Sequence, residues 1–405
     1  MATIAENIQT LKSIKSDIKN AIIQKGGSVT NAFGTYAQAI TDLPSGGGGS
    51  TEFEDGLVMR TLSVYSNDRI SVVGDYAFYS CISLASIDLP ICISIGTSAF
   101  TSCEKLASVN IPNCSYIGNY AFGWCGNLVS VNLPNCKSVN SCAFESCIKL
   151  TNVNLPLCIS VANSAFYGCE SLISVNLPLC TSIGGNTFAF CYNLSNINIS
   201  LLSLVNRSVF YKCSALSSID LPVCSKIGYG AFSECRSLIS VNLPNCISVG
   251  SYAFHSCISL TSIDLPNCKS IDRQAFEQCS ALQSVNLPNC SFIGREAFWS
   301  CYLLPSIDLS NCSWVDYNVF GFCTALVSVN LPKCITIGSF GFNGCSNLTQ
   351  VYLNSVSSVT TIQSNTFSQC PNLTSVYVPA SLVNAFKTAP NWSSISDKIV
   401  AYTEA

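Results

Sequence analysis

Hydrophobic and polar positions recur along this chain with a fixed period. From Tyr76 to Asn372 nearly every stretch rewrites the segment 99–118, in which Phe100, Cys103, Leu106, Val109, Ile111, Cys114 and Ile117 are apolar and most intervening residues are polar. The leading Phe falls at 78, 100, 122, 144, 166, 188, 210, 232, 254, 276, 298, 320 and 342, a spacing of 22 residues held without an insertion. A fourteenth copy, at Phe367, follows a three-residue expansion. Such a period predicts a solenoid, in which each coil buries its apolar face against its neighbours. The Ser-Ile-Asp-Leu-Pro or Ser-Val-Asn-Leu-Pro of each copy predicts a short parallel strand, with Ile or Val and Leu inward and Ser and Asp or Asn outward. The second Cys and the following Ile or Val, as in Cys92 and Ile95, make another inward pair. Gly96 is expected to permit the turn, and Ala99-Phe100 to pack the far side.

From Ile219 onward the two strand forms alternate, placing Asp220, Asn242, Asp264, Asn286, Asp308 and Asn330 in sequence. In an in-register stack, carboxylates on consecutive coils would sit about 4.8 Å apart and repel. Alternation with Asn doubles that spacing and lets the amide bridge its neighbours. Duplication of a 44-residue pair would leave the same trace.

The flanks follow other patterns. Ile4, Ile8, Leu11, Ile18 and Ile22 step by fours and threes, so 3–24 reads as an amphipathic helix with coiled-coil spacing, closed by Lys25-Gly26-Gly27. Residues 1–45 are expected to form a small helical module, either folding back through Ala32, Phe33, Tyr36, Ala37 and Ile40 or oligomerising through the apolar stripe. Residues 46–50 form a Gly/Ser linker, 51–74 an N-terminal cap of irregular strands, 75–375 the solenoid of about 14 coils, and 376–405 a C-terminal cap with a short helix after Pro379.

Composition narrows the function. Charged residues are 10% of the 405 against about 25% in ordinary domains, hydrophobic residues are 48%, and the net charge is −3 with 19 Lys and Arg. No basic stripe is available to displace counterions from a phosphate backbone, which argues against nucleic acid as a partner. No uninterrupted apolar run of 18 residues exists, so membrane insertion is not expected. Glu6, Lys12, Lys15, Asp17 and Lys19 interrupt any signal-peptide core, so classical secretion is not expected. The 26 cysteines fall on two ladders, one three residues after each Phe from Cys81 to Cys370, the other from Cys92 to Cys334, with Cys142 off both. Coil spacing slightly exceeds disulfide geometry, so they read as buried thiols, with stapling the alternative.

The unit Ala-Phe-x-x-Cys-x-x-Leu-x-Ser-Val-Asn-Leu-Pro-x-Cys-x-Ser-Ile-Gly resembles the BspA-type leucine-rich repeat of bacterial surface proteins and gut phage proteins, over roughly 70–378. The resemblance implies an α/β-type repeat solenoid with short parallel strands, preceded here by the small α-helical module. Residues 4–43, with Ile-Lys-x-Ala-Ile-x-x-Lys-Gly-like spacing around Ile18 to Gly26 and a later Tyr36-Ala37-x-Ala39-Ile40, are similar to a short N-terminal module of phage tail and fibre proteins. Together these imply a non-enzymatic virion protein, made in the bacterial cytoplasm, that docks to tail proteins through its N-terminal module. It would form a homo-oligomer such as a trimer and present the solenoid to a host-surface glycan or protein. The alternative is a bacterial cell-surface adhesin of the same fold.

No catalytic, cofactor or metal constellation is evident. The lone histidine, His255, occupies a position held elsewhere by Tyr79, Tyr167, Tyr211 and Trp299, and reads as a variable surface residue. The two positions after each Phe carry Tyr79, Trp124, Tyr167, Phe190, Tyr211, His255, Trp299 and Phe322. These rings either cover the coil edges or form a ligand platform among Ser, Asn and Asp.

Overall fold

The computed structural model describes residues 63–403. The expected helical module at 1–45, with Ile4, Ile8, Leu11, Ile18 and Ile22, and the linker lie outside the described residues. Within them the chain is a parallel β-solenoid of about 15 turns. The α/β-type expectation is therefore corrected: the coils contain only strands and turns, and among the described residues helix is confined to the C-terminal end, in α1 (Val383–Thr388) and short 3-10 segments at Ala380–Leu382 and Trp392–Lys398.

Each coil has three hydrogen-bonded sides. The first is a three-residue strand such as Ser86–Asp88, paired in parallel with Ser108–Asn110 at a shift of 22 residues. Its middle residue and the following Leu are buried and its outer two face solvent, as the alternation dictates. The second side is a two-residue strand such as Ser94–Ile95, stacked continuously from Val72–Val73 to Ser182–Ile183 and again from Leu204–Val205 to Thr361–Ile362. The expected N-terminal cap is more regular than irregular strands: Val64–Ser66 pairs with Ser86–Asp88 and Val72–Val73 with Ser94–Ile95, in the same 22-residue register.

The third side is the turn around each ladder Phe. There the N–H groups of Tyr76, Phe78 and Ser80 donate to the carbonyls of Thr97, Ala99 and Thr101 in the next coil (2.9, 2.7 and 2.8 Å), a pattern repeated to the N–H groups of Phe340, Phe342 and Gly344. Presenting alternate N–H groups to one neighbour requires a left-handed residue two positions before and two after each Phe. Tyr120 and Trp124, at φ 54° and 59°, and Tyr252 and Ser256, at 59° and 56°, are examples. Gly96 has no such conformation. A Cβ there would lie 2.5 Å from Asp75 Oδ1 and 2.7 Å from the Asp75 nitrogen, so its glycine serves close approach between coils rather than the turn.

The core is one column of rings and two of thiols. Ladder Phe rings stack from Phe78 to Phe367 with centroids 4.9–5.7 Å apart and planes within 11° of parallel. Tyr65 meets the first ring edge-on at 5.1 Å, and Trp392 covers the last at 5.9 Å while donating its Nε1–H to the Thr360 carbonyl (2.7 Å). The three-residue expansion is absorbed between Tyr352 and Thr361, and stacking resumes undisturbed at Phe367. Phe386 and Trp392 are buried, and Ile399–Ala401 pairs beside Ser375–Val378, so the C-terminal segment adds a strand as well as a lid.

The cysteines from Cys92 to Cys370 form no disulfide. Each thiol of the first ladder donates to the carbonyl of the Phe one coil earlier, from Cys103 to Phe78 (3.0 Å) through Cys370 to Phe342 (3.0 Å). Thiols of the second ladder donate to a carbonyl two residues on, as Cys92 does to Ser94 (3.3 Å). They therefore pair buried backbone acceptors as well as filling space. Burial pushes their pKa values up, to about 12 at Cys125 and Cys323.

Candidate binding surface

Because the apolar repeat is consumed by the core, anything the molecule recognises must be met by the outward columns. On the turn side, the positions beside each Phe project away from the ring stack. Tyr79, Trp124 and Phe322 are exposed, while Tyr167, Phe190, Tyr211, His255 and Trp299 are half-buried. The structure brings them together in groups rather than as one stripe. Tyr167, Phe190 and Tyr211 meet edge-to-face at 5.2 Å, with Tyr192 alongside at 6.1 Å and Lys212 Nζ 5.4 Å from the Phe190 ring centroid. Trp124 stacks on Tyr120 at 5.7 Å, Tyr79 leans on Tyr76, and Trp299 meets Phe322 at 6.0 Å. The rings thus pack on one another along the coil edges while remaining partly exposed. Sequence reasoning missed the cations between them: Arg207 lies over Tyr229 at 4.8 Å and Arg295 over Tyr317 at 4.6 Å. Their shared position three residues before a ladder Phe is the signal that would have found them.

His255 has more company than a lone surface residue. Its Nδ1 lies 3.0 Å from Glu277 Oε2 and its Nε2 3.1 Å from Ser256 Oγ. Gln274 donates to the same Glu277 oxygen (2.7 Å). The connectivity is that of a nucleophile, base and acid, but the chemistry is not. Ser256 is buried and donates its proton to Gln278 Oε1 (2.9 Å) rather than to the imidazole. The N–H groups of His255, Ser256 and Cys257 are all bonded to carbonyls, leaving no donor pair for an oxyanion. Among the described residues no group of three or more His, Cys, Asp or Glu side chains is placed to hold a metal.

The strand side carries a second surface, formed by the Ser and the Asp or Asn of each three-residue strand. In the earlier coils Asn154 donates to Asn132 and Asn176 to Asn154, both at 2.9 Å, so the amides chain. In the later coils Asn242 donates to Asp220 (2.6 Å), Asn286 to Asp264 (2.7 Å) and Asn330 to Asp308 (2.9 Å). The expected bridging is therefore one-sided, each amide reaching only the coil before it. An Asp cannot donate backward, so the chain of side-chain bonds stops at every acid. The strands likewise resolve into pairs, Ser218–Asp220 with Ser240–Asn242 and Ser262–Asp264 with Ser284–Asn286, with a longer sheet beginning at Ser306–Asp308. The column ends in Tyr352 and Tyr377, in register with Asn330 and stacked at 4.9 Å.

The chain has counterparts among known proteins. The chain matches the family model of the BspA type leucine rich repeat region (6 copies) over residues 56–147, 115–235, 203–326 and 291–397. These matches span most of its length, and the chain belongs to that family. Among solved structures it is similar to a leucine-rich repeat protein from Bacteroides ovatus ATCC 8483, at 22% identity over 84% of this chain and 92% of that one, with a TM-score of 0.50, which shows the shared fold. A leucine rich cell surface protein from Faecalibacterium prausnitzii A2-165 is 23% identical over 83% of this chain and 91% of that one, with a TM-score of 0.45. The leucine rich repeat protein of T. pallidum is 34% identical over 38% of this chain and 78% of that one, with a TM-score of 0.37. No curated protein matches the chain.

Proposed function

We propose that this chain is a non-enzymatic interaction scaffold of the bacterial cell surface, using a stiff solenoid to present outward polar and aromatic columns for adhesion. One observation carries the reading: the repeated residues are spent in the core and on its backbone bonds, while the positions that differ from coil to coil face outward with free hydrogen-bonding or ring surface. The family supports it, because the BspA-type resemblance implies surface proteins that recognise other molecules. The bacterial-surface alternative is thus preferred to the virion reading, which rests on residues 1–45.

Two measurements test the proposal. Protease treatment of intact producing cells should release peptides from the solenoid, identified by mass spectrometry. Recovery of the chain only in purified virions would overturn the surface location. Beads coated with the full chain should adhere to intact bacterial cells or to mucin-coated surfaces more than beads carrying an inert protein. Equal retention on both would overturn the adhesive role.

A further inference from the structure

We propose that the strand face running from Ser218 to Tyr377 is a track for an extended β-1,4-linked polysaccharide lying along the solenoid axis. The inference rests on the scaffold reading above and gives it a ligand class and a face. Three observations carry it.

The first is what the face leaves free. The strand hydroxyls of Ser218, Ser240, Ser262, Ser284, Ser306 and Ser328 make no bond to protein, and in each Asp–Asn pair the amide uses only Oδ1 of the acid, which at Asp308 also accepts from Ser310. Oδ2 of Asp220, Asp264 and Asp308 and the amide oxygens of Asn242, Asn286 and Asn330 remain available on one side of the same strands. A polyhydroxylated chain needs just such a mixture of acceptors and small hydroxyls, and the neutral or weakly acidic column offers nothing to a polyanion.

The second is spacing. Coils stack about 4.8 Å apart, close to the advance of one pyranose in an extended β-1,4-linked chain. Such a chain also turns over with every sugar, so its pattern of hydroxyls repeats every second unit. The alternation of acid and amide, and the pairing of strands that follows it, gives the face the same two-unit period. An α-1,4-linked glucan coils and cannot keep that register.

The third is the end of the track. The column that begins at Asp220 finishes on the stacked, half-buried Tyr352 and Tyr377, the hydroxyl of Tyr352 held by Gln350 Oε1 (2.9 Å). These rings are turned face to face, with Tyr402 meeting Tyr377 edge-on at 6.4 Å, so they present their outer edges to the track and close the row of hydrogen-bonding groups with a fixed apolar end.

The test is calorimetry of the full chain with cellohexaose, chitohexaose, the corresponding disaccharides and maltohexaose. At least one β-1,4-linked hexamer should bind at least 10-fold tighter than its disaccharide, and maltohexaose should bind at least 10-fold more weakly. The triple variant Asp220→Asn, Asp264→Asn, Asp308→Asn turns the paired face into the amide chain already present at Asn132, Asn154 and Asn176. It should fold with an unchanged or raised melting temperature and lose at least 10-fold in affinity, and Tyr377→Ala should weaken binding as well. The track is refuted if neither hexamer binds, if length brings no gain, or if the triple variant binds like the parent. If the hexamers fail while the coated beads still adhere, the track falls and the scaffold stands. If both fail, the scaffold reading falls with it.

Discussion

The coils around Asn154 and those around Asp264 share a core and differ by one outward atom type. Asn176 donates to Asn154 and Asn154 in turn to Asn132, so Asn154 both gives a hydrogen to the coil before it and accepts one from the coil after it, and these strands lie in a continuous four-stranded sheet. At Asp220, Asp264 and Asp308 the oxygen that replaces the amide nitrogen removes the donor; the strands of Asp220 and Asp264 lie in two-stranded pairs and that of Asp308 begins a longer sheet. Beneath both regions the Phe rings stack without change, Phe144 on Phe166 at 5.2 Å and Phe254 on Phe276 at 5.2 Å. The comparison teaches that the core fixes the coil while the outward column decides whether the surface satisfies itself or stays open to a partner.

The strongest way to break this comparison is to remove a ring from each region. Phe144→Ala and Phe254→Ala should each cost about 3–5 kcal/mol, measured by chemical denaturation, and the two costs should agree. A large disparity would show that the cores are not equivalent. Next come the thiols. Cys147→Ala and Cys257→Ala each remove one of two hydrogen bonds to a buried Phe carbonyl, which keeps the N–H of Cys125 or Cys235, and should cost about 0.5–1.5 kcal/mol. Replacement by Ser, which restores a donor, should recover part of the loss.

The thiols also set an alkaline limit. Their folded pKa values are raised, to about 12 at Cys125 and Cys323, from an ordinary 9.0. The folded state therefore holds its protons more tightly, and stability is complete below pH 9 and lost progressively between about 9 and 12. Thermal melts should be flat from pH 6 to 8 and fall above 9; a profile flat to pH 11 would contradict the assignment.

The smallest effect sharpens the surface half of the comparison. Asp264→Asn should add about 0.5–1 kcal/mol by supplying the missing donor, and should slow amide exchange at Leu243, where the two pairs meet. Asn154→Asp should do the reverse at Leu133.

The strands, the inward residues, the ring ladder and the reduced cysteines were legible in the sequence because each is a side-chain preference repeated many times over. The turn side was not, because its left-handed positions are filled mostly by residues such as Tyr76, Trp124, Cys142, Lys212 and Phe322, with glycine only at Gly168, Gly230 and Gly344 among the described residues, and packing overrides their local preference. The thiol bonds escaped for a similar reason: a Cys three residues after Phe looks like a small apolar residue, and only the stacked coil shows which carbonyl it meets. Half of the surface was visible. The ring positions stood out by type, whereas the direction of the Asn-to-Asp bonds, the arginines over tyrosines and the cluster around His255 depend on contacts 22 residues apart.

On the turn side the peptide unit that accepts from Phe78 is the one whose N–H, at Phe100, donates to Ala121, and the relay passes on through Phe122 to Ala143. Three such relays run side by side, every unit oriented the same way. With about 3.5 D in each peptide, the turn side has an electrical direction, its positive pole toward the end closed by Trp392, whereas on the opposing strand side the N–H groups of Ile93 and Gly96 point the other way, to Ser71 and Val73 one coil earlier, so each coil is polarised across its width.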